Sequence, residues 1–296
     1  MNIENILKND NVELLKTYCR RNPDLSINLN LTFFDFLDIN VDNVSIIHAA
    51  CAYGSLKCFN YLQSIDFPLD NTSGSYLYPF HYAIIGNNPE IINALEQYPN
   101  SYDLGDEMNS KSFLIACYAG NIYLVKKLWC QCQGKLAFFT RNPFQCAAYK
   151  GSEEVVKFLS SIGMLINEMG GSRYPLDIAL SNNISIVIPL IRAGANPNVI
   201  LHSKELLFFR IVRKGCIDIM KQLLEEKLVD PNLADEFGWT SLFFGVESGS
   251  IEMCKLLIDY GANIMALTSN GMDLLSYARK KSQPVLRYLK TLHPQN

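Results

Sequence analysis

The chain has 296 residues, 49% of them hydrophobic and 19% charged, a balance that fits a folded globular protein and excludes extended disorder. Its 26 basic and 29 acidic residues leave a net charge of −3, so bulk charge gives no pull toward nucleic acid or an anionic membrane. The longest apolar run, near Ile184–Ile191, falls well short of the roughly 20 residues a membrane span needs, and the opening Met-Asn-Ile-Glu-Asn-Ile-Leu-Lys does not read as a secretory leader.

In chain order, the first elements are a short helix over Ile3–Lys8 and a second helix with its turn over Asn9–Asn28, which contains Val12-Glu-Leu-Leu15 and Pro23-Asp24. Residues 29–40 then interrupt the pattern and carry Thr32-Phe-Phe-Asp-Phe-Leu37. Those aromatics read as cover for the exposed face of the first repeating unit, with a docking segment as the alternative.

From residue 41 onward one phrase recurs. Ser45-Ile-Ile-His-Ala-Ala50 is followed by Tyr78-Pro-Phe-His-Tyr-Ala83, Lys111-Ser-Phe-Leu-Ile-Ala116 and Asn142-Pro-Phe-Gln-Cys-Ala147. Tyr174-Pro-Leu-Asp-Ile-Ala179, Leu206-Leu-Phe-Phe-Arg-Ile211, Thr240-Ser-Leu-Phe-Phe-Gly245 and Asp273-Leu-Leu-Ser-Tyr-Ala278 complete the series. The last residues of these phrases stand at 50, 83, 116, 147, 179, 211, 245 and 278, so every spacing lies between 31 and 34. Four residues past most of these anchors comes Gly or Asn: Gly54, Asn87, Gly120, Gly151, Asn183, Gly215 and Gly249. Further on lie aliphatic or aromatic pairs such as Phe158-Leu159, Leu223-Leu224 and Leu257-Ile258, then turns such as Gly194-Ala195-Asn196-Pro197-Asn198.

Each position has a physical reason. Ser45, Asn142, Thr240 and Asp273 are good helix N-caps, because a side-chain oxygen accepts an orphan backbone N–H. Pro79, Pro143 and Pro175 fall at the first helical position, where a missing N–H does no harm. Gly or Asn after the anchor tolerates the left-handed conformation that ends a helix. The later apolar pairs mark the buried stripe of a second, antiparallel helix, which only stacked neighbours can cover.

These phrases resemble the Thr-Pro-Leu-His-x-Ala signature of ankyrin repeats, whose period is 33. The resemblance implies an all-α ankyrin-repeat solenoid of stacked helix pairs with protruding hairpin turns. It divides the chain into a partial capping repeat with its insertion at residues 1–40, seven repeats over 41–268 and a capping repeat over 269–296. Several positions depart from the pattern. Leu206 and Ile211 replace the cap and the small residue, Tyr78, Lys111 and Tyr174 are poor caps, and in the fifth and eighth repeats the second helix starts about one residue early.

Residues with chemical potential are absorbed by the repeat. His48 and His81 occupy the signature histidine position, where the resemblance implies a hydrogen bond that ties turns together. Cys51 follows anchor Ala50 as Cys117 follows Ala116, so a His48–Cys51 nucleophilic pair is outweighed by packing. Cys130-Gln-Cys132 is one imperfect pair, where zinc sites show two pairs with two to four intervening residues. Gly170-Gly171 has no Lys-Ser/Thr behind it to make a phosphate loop. Nine scattered cysteines, Cys51, Cys117 and Cys146 among them in helical stretches, read as reduced thiols. No cofactor, metal or catalytic residue is expected.

In ankyrin solenoids the hairpin tips and first helices line a concave groove. Carried onto this sequence, the tips supply Phe138, Phe139, Arg141, Arg173, Phe237, Trp239 and Met272, and the helices supply Tyr53, Tyr118, Tyr149, Lys150, Arg213, Lys214, Glu247, Lys280 and Lys281. Aromatics and arginine are the residue types enriched at binding hot spots. The resemblance therefore implies a monomeric, non-catalytic scaffold or adaptor that binds a protein and no small-molecule substrate. It would act in the cytoplasm of the producing cell, or of a host if exported. Alternatives are nucleic acid or anionic lipid held by a basic groove, and, last, an unrecognised enzyme.

Overall fold

The computed structural model describes residues 2–22, 44–69, 77–97, 106–131, 142–169, 171 and 173–292. The insertion at 29–40, the tip carrying Phe138, Phe139 and Arg141, and the residues Cys132 and His293 lie outside them. The chain is all-α in character and divides into two compact units, Met1–Gly171 and Ser172–Asn296.

In the first unit the helices are α1 (Ile3–Lys8), α2 (Val12–Arg21), α3 (Ile46–Ala52), α4 (Leu56–Ser64), α5 (Pro79–Gly86), α6 (Pro89–Glu96), α7 (Asp106–Ala119), α8 (Ile122–Gln131), α9 (Pro143–Lys150) and α10 (Glu153–Ser161). Consecutive helices pair, and the first helices stack in one row from α1 through α3, α5 and α7 to α9. The second unit repeats the plan with α11 (Pro175–Asn182), α12 (Val187–Arg192), α13 (Leu207–Arg213), α14 (Ile217–Glu225), α15 (Ser241–Ser248), α16 (Ile251–Asp259), α17 (Leu274–Lys281) and α18 (Gln283–Leu292). Ala50, Ala116, Ala147, Ala179 and Ala278 are fully buried where first helices meet, which is why the phrase ends on a small residue.

Local chemistry sets the helix ends. Asn142 accepts the Phe144 N–H at 2.9 Å and Asp273 accepts the Ser276 N–H at 2.7 Å, as caps should. Thr240 occupies the N-cap position of α15, but its hydroxyl makes no cap bond. At Ser45 and Tyr78 the imidazole takes part: His48 Nδ1 and His81 Nδ1 accept the backbone N–H groups of those two residues at 3.2 and 3.1 Å. Lys111 is no cap and is followed by Ser112 where other phrases have proline, so nothing bars helical backbone at Lys111, and α7 begins upstream, at Asp106. Leu206 offers no capping oxygen. The N–H groups of Leu207 and Phe208 are satisfied instead by the carbonyls of Val199 and Pro197, at 2.9 and 3.0 Å.

The turns between paired helices follow the expected left-handed exit at Gly151 (φ 84°) and Asn87 (φ 50°). Asn183 and Ser282 depart from it, with extended φ values of −147° and −148°. There the turn is shorter, and the next helix starts at once. In the fifth repeat it opens as a 3-10 turn over Ile184–Ile186, because Pro189 cannot donate to a carbonyl four residues back and its ring crowds that carbonyl.

Within each unit, polar side chains bind neighbouring repeats together. Asp10 accepts the Lys57 and Cys58 N–H groups at 3.1 and 2.9 Å and so caps α4 from the preceding pair. Asn88 donates to the Gly54 carbonyl at 3.0 Å and Asn198 to the Leu228 carbonyl at 2.9 Å. Asn232 donates to the Gly261 carbonyl at 2.9 Å while its Oδ1 accepts the Asn263 N–H at 2.7 Å. In the second unit three fingers project between pairs, closed by antiparallel bridges Ile200↔Leu206, Ala234↔Thr240 and Leu267↔Asp273.

Candidate functional site

In the first unit, Tyr53 ends α3 half-buried, and its hydroxyl donates to Glu4 Oε1 at 2.8 Å. Lys8 Nζ pairs with that carboxylate at 2.7 Å and lies 5.2 Å from the Tyr53 ring centre. Burial, and then the Glu4 carboxylate, push the Tyr53 phenol well above its ordinary range. Tyr53 thus ties α1 to α3. Tyr118 is only 3% exposed, so the expectation that it meets a partner directly is corrected: a ring already inside the stack has no surface to offer. It underlies the half-buried Tyr149 and the exposed Lys150 instead. The Tyr149 ring centre stands 5.4 Å from its own, and Lys150 Nζ also lies 5.4 Å from it. Burial, reinforced by Tyr149, raises the Tyr118 phenol to about 12.

In the second unit Arg173, Arg210 and Arg213 are engaged with carboxylates. Arg173 Nε donates to Asp177 Oδ2 at 2.7 Å, and its Nη2 reaches the Asp177 carbonyl and the Ser181 hydroxyl. Asp177, whose side chain is 4% exposed, also pairs through Oδ1 with Arg210. Arg210 Nε then meets Glu205 Oε1 at 3.2 Å, while Arg213 takes Glu205 Oε2 at 2.8 Å and Glu247 Oε2 at 3.3 Å. Burial acts to raise the Glu205 pKa, but the hydrogen bonds and charges of Arg213 and Arg210 outweigh it and hold the carboxyl below its usual range. Three cations and three anions alternate across α11, α13 and α15, so this strip is electrically balanced. A groove more basic than the chain as a whole does not arise from Arg173 and Arg213.

Beside that strip runs an aromatic row. Phe209 stacks on Phe244 at 4.4 Å, Phe244 meets Trp239 at 5.7 Å, and Trp239 meets Tyr277 edge-on at 4.8 Å. The Arg213 guanidinium lies 4.9 Å from the Phe244 ring centre and Lys281 Nζ 5.9 Å from that of Tyr277. Burial, and next the Glu247 charge, raise the Tyr277 phenol to about 12. Trp239 is half-buried at the base of the second finger, whereas Phe237 at its tip is 53% exposed. The finger is held from behind: the Ser269 N–H donates to the Phe237 carbonyl at 2.8 Å. Gly238 (φ 77°) permits this approach, since a Cβ there would stand 2.6 Å from the Ser269 nitrogen.

The nucleophile candidates sit in the interior. Cys51 is fully buried, with its thiol pushed well above the ordinary range, and burial raises the Cys254 thiol to about 12. Thiols held protonated in this way are inert. Among the described residues no group of three His, Cys, Asp or Glu side chains is arranged to hold a metal ion, and no helix is long and apolar enough to cross a membrane.

Residues 113–200 and 208–295, more than half of the chain, match the family model described as ankyrin repeats in three copies. The chain belongs to the ankyrin-repeat family. Alpha-latrocrustotoxin-Lt1a from Latrodectus tredecimguttatus is 32% identical over 108 residues, which are 36% of this chain and 8% of the toxin. The putative ankyrin repeat protein R841 of Acanthamoeba polyphaga mimivirus is 31% identical over 107 residues, 34% of this chain and 18% of that protein. The chain thus spans less than a fifth of either relative. Among solved structures, one chain of the complex between the Bd0816 predatory endopeptidase from Bdellovibrio bacteriovorus and the immunity protein Bd3460 is 24% identical, with a TM-score of 0.46, covering 60% of this chain and 96% of that one.

Within this ankyrin frame, Asp177, Glu205 and Arg210 are the residues that sequence reading passed over. A signal was present. Asp177 and Arg210 are opposite charges 33 residues apart, and Arg213 and Glu247 are 34 apart, so equivalent positions of successive repeats carry opposite signs. Lys214, named with Arg213, is exposed at the end of α13.

Proposed function

We propose that the chain is a non-catalytic protein-binding adaptor, contacting its partner through finger tips and the C-terminal ends of the first helices. Ankyrin repeats are in general protein–protein interaction modules, and the observation that carries the reading here is Phe237, a large apolar ring 53% exposed on a finger braced by its neighbour. A rigid, exposed aromatic loses little conformational freedom on binding, which favours it as an anchor. Trp239, Arg173, Arg213 and Lys214 belong to the same surface of the second unit. Tyr149 and Lys150 are its counterpart in the first. Activity in a reducing cytoplasm is part of the proposal, supported by the buried thiols of Cys51, Cys58 and Cys254.

The test is capture by the immobilised chain from extracts of its source cells, comparing wild type with Phe237→Ala by quantitative mass spectrometry. Proteins bound by wild type should be depleted about tenfold or more on the variant, with the melting temperature unchanged. Equal capture by both would move the contact surface elsewhere.

A further inference from the structure

We infer that the face of the second unit around Trp239 receives an acidic peptide segment bearing one large apolar side chain. The inference rests on the protein-binding reading above and specifies its partner. Trp239, set edge-on to Tyr277 at 4.8 Å, forms a half-buried aromatic floor with the exposed Phe237 beside it. Such a floor takes an apolar anchor.

Beside that floor the Asp235 carboxylate is taken up by the Phe237 and Trp239 N–H groups, at 2.9 Å each, and Glu236 by Lys204. Glu205 and Glu247 are both held by Arg213, and Asp177 by Arg173 and Arg210. By contrast, α17 ends in Arg279-Lys280-Lys281 and α13 is followed by Lys214, and no carboxylate among the described residues lies within ion-pair distance of these four. Lys281 Nζ, 5.9 Å from the Tyr277 ring centre, brings that positive charge to the rim of the floor. Carboxylates flanking an apolar anchor would meet unpaired ammonium groups there. Arg173, Arg210 and Arg213, whose guanidinium forks suit bidentate phosphate contacts, are already engaged with carboxylates, which favours an acidic peptide over nucleic acid.

A random peptide display library selected on the full chain tests this. The enriched sequences should combine Asp or Glu with one aromatic or Leu. Their binding should weaken about tenfold or more on the exposed-residue variants Lys280→Glu with Lys281→Glu, and Phe237→Ser, and should fall with added salt. Phe237-dependent sequences that are neutral or basic would overturn the acidic partner while leaving the protein-binding surface standing. Enriched sequences indifferent to both variants would overturn the inference and the proposed surface together. Enrichment of nothing would likewise count against both.

Discussion

Asp177 of α11 is ion-paired with Arg210 of α13, 33 residues further on, at the joint where the sixth repeat replaces the small anchor with Ile211. A bulky residue there costs the close approach that alanine gives elsewhere, and the carboxylate–guanidinium strip ties the two first helices together in its place. Both Asp177 oxygens are engaged, one by Arg173 and one by Arg210. In Asp177→Asn an amide NH2 group would face one of the two guanidinium groups. The variant should lose about 1–3 kcal/mol of stability, read as a lower urea midpoint with an unchanged slope. Lys204→Ala, which breaks the exposed Lys204–Glu236 pair at 2.8 Å, should leave the urea midpoint essentially where it is, because solvent screens that pair.

Glu205 gives the strip a pH signature. Its folded pKa lies below the ordinary 4.5, so the stability it contributes is complete above that value and is lost as pH falls through the lowered folded pKa. Glu205→Gln should therefore be less stable than wild type at neutral pH, and the two should converge as pH drops below about 4.5. Thermal melts across that range read the difference directly. A gap that persisted unchanged into acid would mean that the carboxylate's charge contributes nothing.

The repeat fold was legible because its signal is repeated: spacing, anchors, proline positions and left-handed exits recur, and Asn87, Gly151 and Pro143 behave as their types require. At Asn183 the sequence offers two readings, a left-handed exit from the residue type and a shortened turn from the early second helix. The extended backbone follows the second, because the following helix and not Asn itself decides it. The candidate surface was less legible. Position within the repeat marked Tyr118 and Arg213 as outward-facing, but whether a side chain stays available depends on its cross-repeat neighbours. Tyr118 is covered beside Tyr149, and Arg213 is held by Glu205 and Glu247. Such pairings become readable only when equivalent positions are compared one period apart.

The last repeat should act as a cap. Exposed Arg279, Lys280, Arg287 and Lys290 give α17 and α18 a polar flank. Removing residues 269–296 should uncover the apolar sides of α15 and α16 and produce aggregation or a sharp fall in soluble yield. A monomeric truncation as stable as the full chain would show that the stack needs no cap at this place.

Phe237 and Trp239 separate binding from folding. Trp239 packs at 4.8 Å on Tyr277 and at 5.4 and 5.7 Å on Phe243 and Phe244, so it is part of the finger's support as well as of the proposed surface. Trp239→Ala should lower stability by about 2–3 kcal/mol, below the range for a fully buried aromatic because the ring is only half covered. Phe237→Ala removes an exposed ring and should change stability by less than about 0.5 kcal/mol. If both rings anchor the partner, each variant should weaken binding about thirtyfold or more, about 2 kcal/mol. Calorimetry and denaturant titration on the same two proteins give both quantities. Lost affinity in Trp239→Ala alone, tracking its lost stability, would reduce Trp239 to a packing residue and remove Phe237 from the interface.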